Sequence, residues 1–330
     1  MIDQIKKIVE AAQHIVVLQA DNPDADSLGS ALALEDLLVE QGKSVTLYCS
    51  VDPPTYLRHI NGWDRVQNEI PNKFDASIIV DASTLTLFDK LNKSGQQSWV
   101  ATKPCIVLDH HETTDDSINF ANVVLNDPSI SSTGELVYNL AKELKWTITP
   151  LAGSCIMNAI QGDTQGLTNQ LTKSATYRVM ADLTKLGVSR PELEEARREF
   201  TKMDRKIFDY KSTLISRTEF HVDGQIALVT IPQAEINEFS PLYNPAPLIQ
   251  QDMLQTIGVK VAIVLKSYND GKILASIRAN TPIAAQLAEH FGGGGHNYAS
   301  GFKLENGEIN QTKSDCIKKG SDLIKQYETI

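Results

Sequence analysis

The chain has 330 residues, of which 42% are hydrophobic and 22% are charged, a composition typical of a globular protein with room for two domains. The net charge of −10 argues against tight binding to long nucleic acid, yet it allows a local basic pocket for one small phosphate ligand. No apolar stretch is long enough to cross a bilayer, and the N-terminus predicts an amphipathic helix rather than a signal peptide. The four scattered cysteines lack zinc-site spacing, so we expect reduced thiols in a cytoplasmic protein.

The first βα unit carries two acids in its turn. We predict a helix over residues 2–13, a strand over 14–18 and a second helix over 28–41. Asp24 and Asp26 lie two residues apart in the intervening turn, so both can converge just beyond the strand. Oxygen ligands placed in this way suit Mg²⁺ or Mn²⁺. The alternative is that Asp26 or the following serine only caps the helix.

Two later strands also end in acids or histidines. The predicted strand over residues 77–80 ends in Asp81, and the one over 104–108 ends in Asp109-His110-His111. Strands alternate with helical segments, which favours a parallel sheet whose carboxyl edge receives all these side chains. For the acid–histidine triplet alone, an acidic turn with solvated histidines is the alternative, because short motifs match by chance.

A fourth acid follows the next helices. We predict helices over residues 133–144 and 151–161, and the second ends in the turn Gly162-Asp163-Thr164. Any one of these acids is more often a cap or turn residue than a ligand. Four acid-bearing ends in register are difficult to explain in that way, and they favour a metal site at one sheet edge.

The chain then continues through a charged segment into a second domain. A helix over residues 191–200 begins with proline, and most of its charges are expected on a solvated face. We interpret residues 186–217 as a helical connector between two lobes, with a cleft that suits small ligands.

The second domain combines a predicted hairpin with a glycine run. Strands are expected over residues 225–230, 259–265 and 272–278, and the turn Asn269-Asp270-Gly271 joins the last two. The glycines at 292–295 let backbone amides approach an anion, to which Arg278 and His296 would add side-chain donors. A flexible loop is the alternative for a glycine run taken alone.

The motifs taken together resemble those of the DHH phosphoesterases, a group of exonucleases, oligoribonucleases and cyclic-dinucleotide phosphodiesterases. The elements that match are, in the family's order, Asn22-Pro23-Asp24-Ala25-Asp26 with Gly29-Ser30, Val80-Asp81, Asp109-His110-His111 and Gly162-Asp163-Thr164. The second half resembles the associated substrate-binding domain, DHHA1, through Ser276-Ile277-Arg278, Phe291-Gly292-Gly293-Gly294-Gly295-His296 and Ala299-Ser300-Gly301. The resemblance implies an α/β fold: a DHH domain over residues 1–185 with a mainly parallel sheet flanked by helices, the connector over 186–217, and a smaller α/β DHHA1 domain over 218–330.

The resemblance also implies a role for each motif residue. Asp81 would bridge two divalent metals, expected to be Mn²⁺ or Mg²⁺. The residues that would complete one metal site are Asp26, His110 and Asp163, and Asp24 would bind the other metal. Asp109 would orient the neighbouring histidine, and His111 would face the substrate phosphate. The residues that would bind substrate are Arg278, Gly293, Gly294, Gly295 and His296.

One position departs from the family pattern. The family has a histidine four residues before the first acid of its opening motif, and here that residue is Ala20. A methyl group cannot bind metal, and the adjacent Asp21 would point the opposite way on an extended segment. Three outcomes follow: a weaker but filled two-metal site, a one-metal site, or a degenerate site.

The resemblance implies two classes of function. The first is a metal-dependent phosphodiesterase or phosphatase that hydrolyses oligoribonucleotides, pAp or linear dinucleotides such as pApA, with cyclic di-AMP as an alternative substrate. The second is a nucleotide-binding relative that has lost catalysis. Expected partners are short oligonucleotides or dinucleotides, and neither long duplexes nor membranes; the family makes a homodimer plausible. The base, the sugar and the end attacked stay open.

Overall fold

A computed structural model describes residues 1–111, 118–240 and 242–328. The chain forms two compact units, Met1–Lys202 and Met203–Ile330. The division falls inside the predicted connector, so its two helical halves belong to different units. In the described ranges, no helix is long and apolar enough to span a membrane. All four cysteines are buried and free, as expected from their spacing.

The first unit is built on a five-stranded sheet in which every pair of neighbours is parallel. Its strands are β1 (His14–Leu18), β2 (Ser44–Tyr48), β3 (Ala76–Val80), β4 (Cys105–Asp109) and β5 (Val123–Asn126). The order is β2-β1-β3-β4-β5, which places the three predicted acid-bearing strands side by side. Their carboxyl ends therefore meet at one edge, and this confirms the predicted parallel α/β sheet.

Helices cover both faces of this sheet. They are α1 (Ile2–Ala11), α2 (Ala25–Glu40), α3 (Asp89–Lys93), α4 (Gln96–Val100), α5 (Thr133–Leu144), α6 (Pro150–Asp163), α7 (Ser174–Lys185) and α8 (Arg190–Phe200). Because strand side chains alternate, Ile15 and Val17 of β1 pack with α2, α5 and α6, whereas Val16 and Leu18 pack with α3 and α4.

The helices that flank the sheet edge cross closely at a glycine. A methyl group at Gly29 of α2 would lie 2.6 Å from the carbonyl oxygen of Cys155 on α6. Only glycine allows this approach. The close crossing brings the first turn of α2, which carries Asp26, toward the last turn of α6, which carries Asp163.

The second unit contains a six-stranded mixed sheet. Its strands are β6 (Glu219–His221), β7 (Ile226–Pro232), β8 (Val261–Ser267), β9 (Ile273–Ala279), β10 (Gly294–His296) and β11 (Ala299–Leu304), in the order β10-β11-β9-β8-β7-β6. Its helices are α9 (Arg205–Arg217), α10 (Gln233–Phe239), α11 (Pro245–Gln255), α12 (Ala284–Glu289) and α13 (Ile309–Glu328). The predicted β8–β9 hairpin is confirmed by its antiparallel register, and Gly271 in its turn has φ +85°.

The last two glycines of the run lie in this sheet. Strand β10 pairs with β11, and a methyl group at Gly293 would lie 2.2 Å from the carbonyl oxygen of Gly301. A methyl group at Gly294 would meet no atom within 4 Å. The register also places Arg278, Ala299 and His296 in one row across β9, β11 and β10.

This packing predicts opposite outcomes for two adjacent glycines. Gly293→Ala forces backbone atoms apart, so the free energy of unfolding is expected to fall by about 1–3 kcal/mol. Gly294→Ala is the matched control and is expected to change it by less than about 0.5 kcal/mol. Urea denaturation of the full chain measures both values. Equal losses in the two variants would contradict the close β10–β11 packing.

Candidate active site

Asp26 is a fully buried carboxylate in the first turn of α2. Asp24 begins this helix as its N-cap, and its side chain accepts hydrogen bonds from the amides of Asp26 and Ser27, both at 3.0 Å. The Asp26 carboxylate accepts hydrogen bonds from the amides of Thr133 (2.6 Å) and Gly134 (2.9 Å) at the start of α5. A helix N-terminus stabilises negative charge, so α5 holds Asp26 at the sheet edge.

Asp81 follows β3 directly in a strained backbone conformation. Its φ of +58° lies in the left-handed region, which costs about 1–3 kcal/mol for a residue other than glycine. Its Oδ1 accepts a hydrogen bond from Thr133 Oγ1 at 3.1 Å. The strain turns the carboxylate toward the same helix N-terminus that binds Asp26, so Thr133 contacts both acids.

His110 places one ring nitrogen among three carboxylates. Its Nε2 lies 2.9 Å from Asp163 Oδ2, 3.5 Å from Asp26 Oδ2 and 3.7 Å from Asp81 Oδ1. The nitrogen is buried, and its contact with Asp163 is an ion pair that lacks hydrogen-bond geometry. A buried polar atom without a hydrogen bond is rare in a folded protein, and here it lies where a cation would contact it.

The acids of this cluster destabilise one another's charged forms. Burial and the charge of Asp163 raise the pKa of Asp26 to about 7. Burial and the charge of Asp26 hold the pKa of Asp81 well above its usual range. Burial opposes protonation of His110, but the nearby Asp163 and Asp26 outweigh it and raise its pKa to about 8. The charged forms of these acids therefore need a positive charge nearby to become stable.

The donor set fits a divalent cation. The atoms of Asp26, His110 and Asp163 that could bind metal lie within 4.8 Å of one another, as do those of Asp81, His110 and His111. Carboxylate oxygens alone suit either Mg²⁺ or Mn²⁺. An imidazole nitrogen among them favours Mn²⁺. A divalent cation bound here would contact the His110 nitrogen and would stabilise the charged forms of Asp26 and Asp81, whose pKa values are raised.

Asp109 and His111 form a second contact beside the cluster. Asp109 is fully buried, and its Oδ1 accepts hydrogen bonds from the His110 amide and from His111 Nδ1, both at 2.8 Å. Ser83 donates to its other oxygen. Burial disfavours the carboxylate, but these donors hold the pKa of Asp109 below its usual value. The hydrogen bond to Asp109 in turn raises the pKa of His111, whose side chain is 56% exposed.

Ala20 provides no imidazole at the position where the family has a histidine. Ala20 is buried in an apolar cluster and its carbonyl accepts a hydrogen bond from Cys49. Both oxygens of the adjacent Asp21 are occupied, one by the Ser50 hydroxyl and one by the Lys90 amide at 2.8 Å. Asp21 would have to break these bonds to replace the missing histidine. The role of Asp24 as a ligand stays a prediction.

Family models match both units of the chain. The model of the DHH family N-terminal domain matches residues 14–160, and the model of the DHHA1 domain matches residues 246–327, together about two thirds of the chain. The chain belongs to the DHH family. The acids and histidines at the edge of the parallel sheet all lie within or next to the DHH match.

Individual relatives share the whole length of this DHH-family chain. The bifunctional oligoribonuclease and PAP phosphatase NrnA of Thermus thermophilus is 26% identical over 332 residues, which covers 100% of this chain and 91% of that protein. The cyclic-di-AMP phosphodiesterase PdeA of Listeria monocytogenes is 24% identical over 328 residues, 95% of this chain and 48% of that protein. An exopolyphosphatase-related protein from Bacteroides fragilis has the same fold, with a TM-score of 0.85, 23% identity, and coverage of 98% of this chain and 97% of that one.

The residues expected to bind substrate lie in the DHHA1 unit. Arg278 is exposed on β9 and donates from Nη1 to the carbonyl oxygen of Ile277 at 3.0 Å. Gly294 and Gly295 lie in β10, with Gly293 just before it. The side chain of His296 lies outside the described structure. The backbone register thus groups these positions, and their role in binding stays a prediction.

Sequence reasoning missed the residues of α5 that hold the acids. Thr133 and Gly134 donate backbone amides to Asp26, and Ser132 caps the helix by accepting from the Glu135 amide at 3.1 Å. The pattern of a serine followed three residues later by glutamate predicts a helix N-terminus. It does not reveal which carboxylate the free amides of that terminus bind.

The raised pKa values predict how metal and pH act on stability. Asp26 and His110 bind protons more tightly in the folded protein, so the free energy of unfolding of the metal-free chain is expected to fall as pH rises through about 7 and 8. Mn²⁺ competes with these protons, so its stabilisation is expected to be larger at about pH 8 than at about pH 6. At a Mn²⁺ concentration of about 100 times its dissociation constant, the stabilisation reaches about 2.7 kcal/mol.

Thermal unfolding with Mn²⁺ or with a chelator at both pH values measures this effect. Asp81→Asn is the control, because it removes one ligand and is expected to lose most of the Mn²⁺-dependent shift in Tm. A shift of equal size in the variant, or a larger shift at the lower pH, would contradict metal binding at this cluster.

Proposed function

We propose that this DHH phosphoesterase is a metal-dependent phosphodiesterase and phosphatase that hydrolyses short nucleotides, namely oligoribonucleotides, pAp and linear dinucleotides such as pApA. The observation that carries the proposal is the buried His110 Nε2, which lies within 3.7 Å of three buried or half-buried carboxylates. The full-length similarity to an oligoribonuclease and PAP phosphatase supports the substrate class.

The proposed metal ligands are Asp26, Asp81, His110 and Asp163, with Asp24 at a second, weaker site. The cofactor is Mn²⁺, with Mg²⁺ as the alternative. When bound, such a cation lowers the pKa of a water molecule and offsets the charge of the phosphate. The chain itself supplies fixed positions, because Thr133 and Gly134 hold two of the acids through backbone or hydroxyl donors.

His111 has the properties of a donor to the substrate phosphate. Its Nδ1 donates to the buried Asp109, so its Nε2 is the ring nitrogen left for substrate. The raised pKa keeps the ring protonated closer to neutral pH, and a protonated imidazole donates a charge-assisted hydrogen bond. Asp109 and Ser83 keep the ring in one orientation.

The DHHA1 unit would bind the substrate end. Arg278 can donate two parallel hydrogen bonds to a phosphate once it releases the Ile277 carbonyl. Gly294 leaves its backbone open to a ligand, since no atom lies within 4 Å of a methyl group built there. The residues that we assign to this role are Arg278, Gly293, Gly294, Gly295 and His296.

We also propose that the protein forms a homodimer.

Two alternatives are supported by specific observations. A cyclic-di-AMP phosphodiesterase activity is suggested by the similarity to PdeA, of which the chain spans about half the length. A nucleotide-binding protein with impaired catalysis is suggested by Ala20, which removes one imidazole from the opening motif. Turnover of pApA, pAp and cyclic di-AMP with Mn²⁺ separates these three functions.

The first functional prediction concerns Asp81→Asn. Asparagine tolerates the left-handed backbone that Asp81 adopts, so the fold is expected to survive. The variant loses the negative charge that faces His110. Because loss of a residue that only supports a metal ligand already lowers activity by up to about 100-fold, kcat on pApA is expected to fall by more than that. Asp3→Asn on the exposed face of α1 is the control.

Circular dichroism and turnover of both variants are measured together. Wild-type turnover by a folded Asp81→Asn variant would reject the assignment of this acid.

The second functional prediction concerns Ala20. Without an imidazole there, Mn²⁺ is expected to bind in two steps whose affinities differ by at least about 10–100-fold. Ala20→His is expected to strengthen the weaker step and to lower the Mn²⁺ concentration for half-maximal activity. Ala20→Leu fills a similar space without a ligand and is expected to do neither. Isothermal titration of metal into the three proteins measures the steps; two equal affinities in the wild type would mean that another residue has replaced the histidine.

A further inference from the structure

A cavity of about 680 Å³ lies in the first unit, next to the acids of the proposed metal site. Asp24 and Asp163 are among the residues that line it. Its volume lies within the range of about 300–1,000 Å³ that is typical of small-molecule sites. We call it the α8 cavity, because one face of α8 forms part of its wall.

The α8 wall is charged where a packed helix is normally apolar. The residues that line the cavity follow the spacing of one helical face and are Arg190, Leu193, Glu194, Arg197, Arg198 and Thr201. No residue of α8 is fully buried. A helix that only covers a core presents apolar residues at these positions. Three guanidinium groups in this pattern, beside acids of the proposed metal site, indicate a site for an anion.

Two of the guanidinium groups are held in place by a single carboxylate. Glu194 accepts two hydrogen bonds from Arg197, at 2.8 and 2.9 Å, and one from Arg198 at 2.9 Å. Hydrogen bonds from Arg197 and Arg198 lower the pKa of Glu194 to about 2. Each guanidinium keeps N–H donors that Glu194 does not use. Glu194 therefore orients both groups and leaves these donors for a ligand.

Arg190 is available for a ligand. In the described part of the chain its guanidinium forms no hydrogen bond or ion pair, and it lies beside the backbone of Gly166, three residues after Asp163. Three guanidinium groups against one carboxylate leave the α8 wall with an excess of two positive charges. This excess occurs in a chain whose net charge is −10.

An aromatic ring completes the cavity on the side of the opening motif. Tyr56 lies in the short 3₁₀ turn Thr55–Leu57, is 55% exposed, and its hydroxyl lies 3.5 Å from the Pro23 carbonyl. His59, also in the wall, has its Nδ1 bonded to the Tyr56 carbonyl at 2.8 Å. An exposed aromatic face beside cationic groups is the usual arrangement for stacking a base next to its phosphate.

We propose that the α8 cavity binds the phosphate that a substrate carries in addition to the scissile one, with Arg190 and Arg197 as its ligands and Tyr56 stacked on the adjacent base; the phosphate assigned above to Arg278 is then the scissile one. The inference rests on the proposed function and deepens it. It makes the enzyme selective for nucleoside bisphosphates and 5′-phosphorylated dinucleotides over the same compounds without the second phosphate.

The test compares substrates that differ by one phosphate. In the wild type, kcat/KM is expected to be higher for pApA than for ApA. Arg190→Gln and Arg197→Gln are each expected to lower the ratio of the two values by about 10–100-fold, the usual effect of losing charge-assisted hydrogen bonds. Arg178→Gln removes the same charge from an exposed position of α7 and is expected to keep the wild-type ratio. An unchanged ratio in Arg190→Gln and Arg197→Gln would overturn the proposal, as would an equal fall in Arg178→Gln.

A binding measurement keeps this test separate from catalysis. Calorimetric titration of wild type with pAp and with AMP, in chelator, is expected to show tighter binding of pAp, and Arg190→Gln is expected to abolish that preference. Tyr56→Ala is expected to weaken pAp binding about tenfold, whereas Tyr56→Phe retains it. If wild type hydrolyses neither bis(p-nitrophenyl) phosphate nor pApA with Mn²⁺, the proposed function fails. The titration still tests whether the α8 cavity binds the second phosphate. Equal affinities for pAp and AMP would overturn the cavity assignment.

Discussion

The buried charge of Asp26 is the constraint on which the rest of the first unit depends. A buried carboxylate is costly unless donors surround it, and the donors here are the amides of Thr133 and Gly134 at the start of α5. The contact ties α2 to α5. A methyl group at Gly134 would lie 2.4 Å from the side chain of Ala159 on α6, so the same glycine that binds Asp26 also lets α6 approach. Three helices are therefore positioned together around one acid, and α6 carries Asp163 into contact with His110.

The sequence predicted the elements whose signals are local. The seven strands and helices predicted over residues 2–161 reappear within a few residues of their expected limits, because buried strands are short apolar runs and helices repeat every 3.6 residues. Acids placed directly after such runs, as Asp81 is after β3, must lie at the carboxyl edge of a parallel sheet. The adjacency of β1, β3 and β4 then brings those ends together.

The parts that could not be predicted depend on backbone groups or on tertiary contacts. The short strand β5 was missed because it is only four residues long and mostly half-buried or exposed. The glycines of β10 carry no side-chain pattern, so only close contact with Gly301 distinguishes a strand from a loop. The charges of α8 were assigned to a solvated face, since spacing alone cannot separate a face in water from one that lines a cavity.

The first unit carries its acid cluster and its arginines in separate regions, and this arrangement bears on which substrates the protein would select. Under the proposed function, the acid cluster would repel a phosphate until a cation binds, whereas the arginines of α8 would attract one with no cation present. A chain with a net charge of −10 gains little from additional phosphates of a long polymer. A ligand with two phosphates at short separation can satisfy both regions at once, and each further phosphate would face an acidic surface. Under the proposed function, an acid cluster that needs a cation and a basic wall beside it would therefore favour short substrates over long ones.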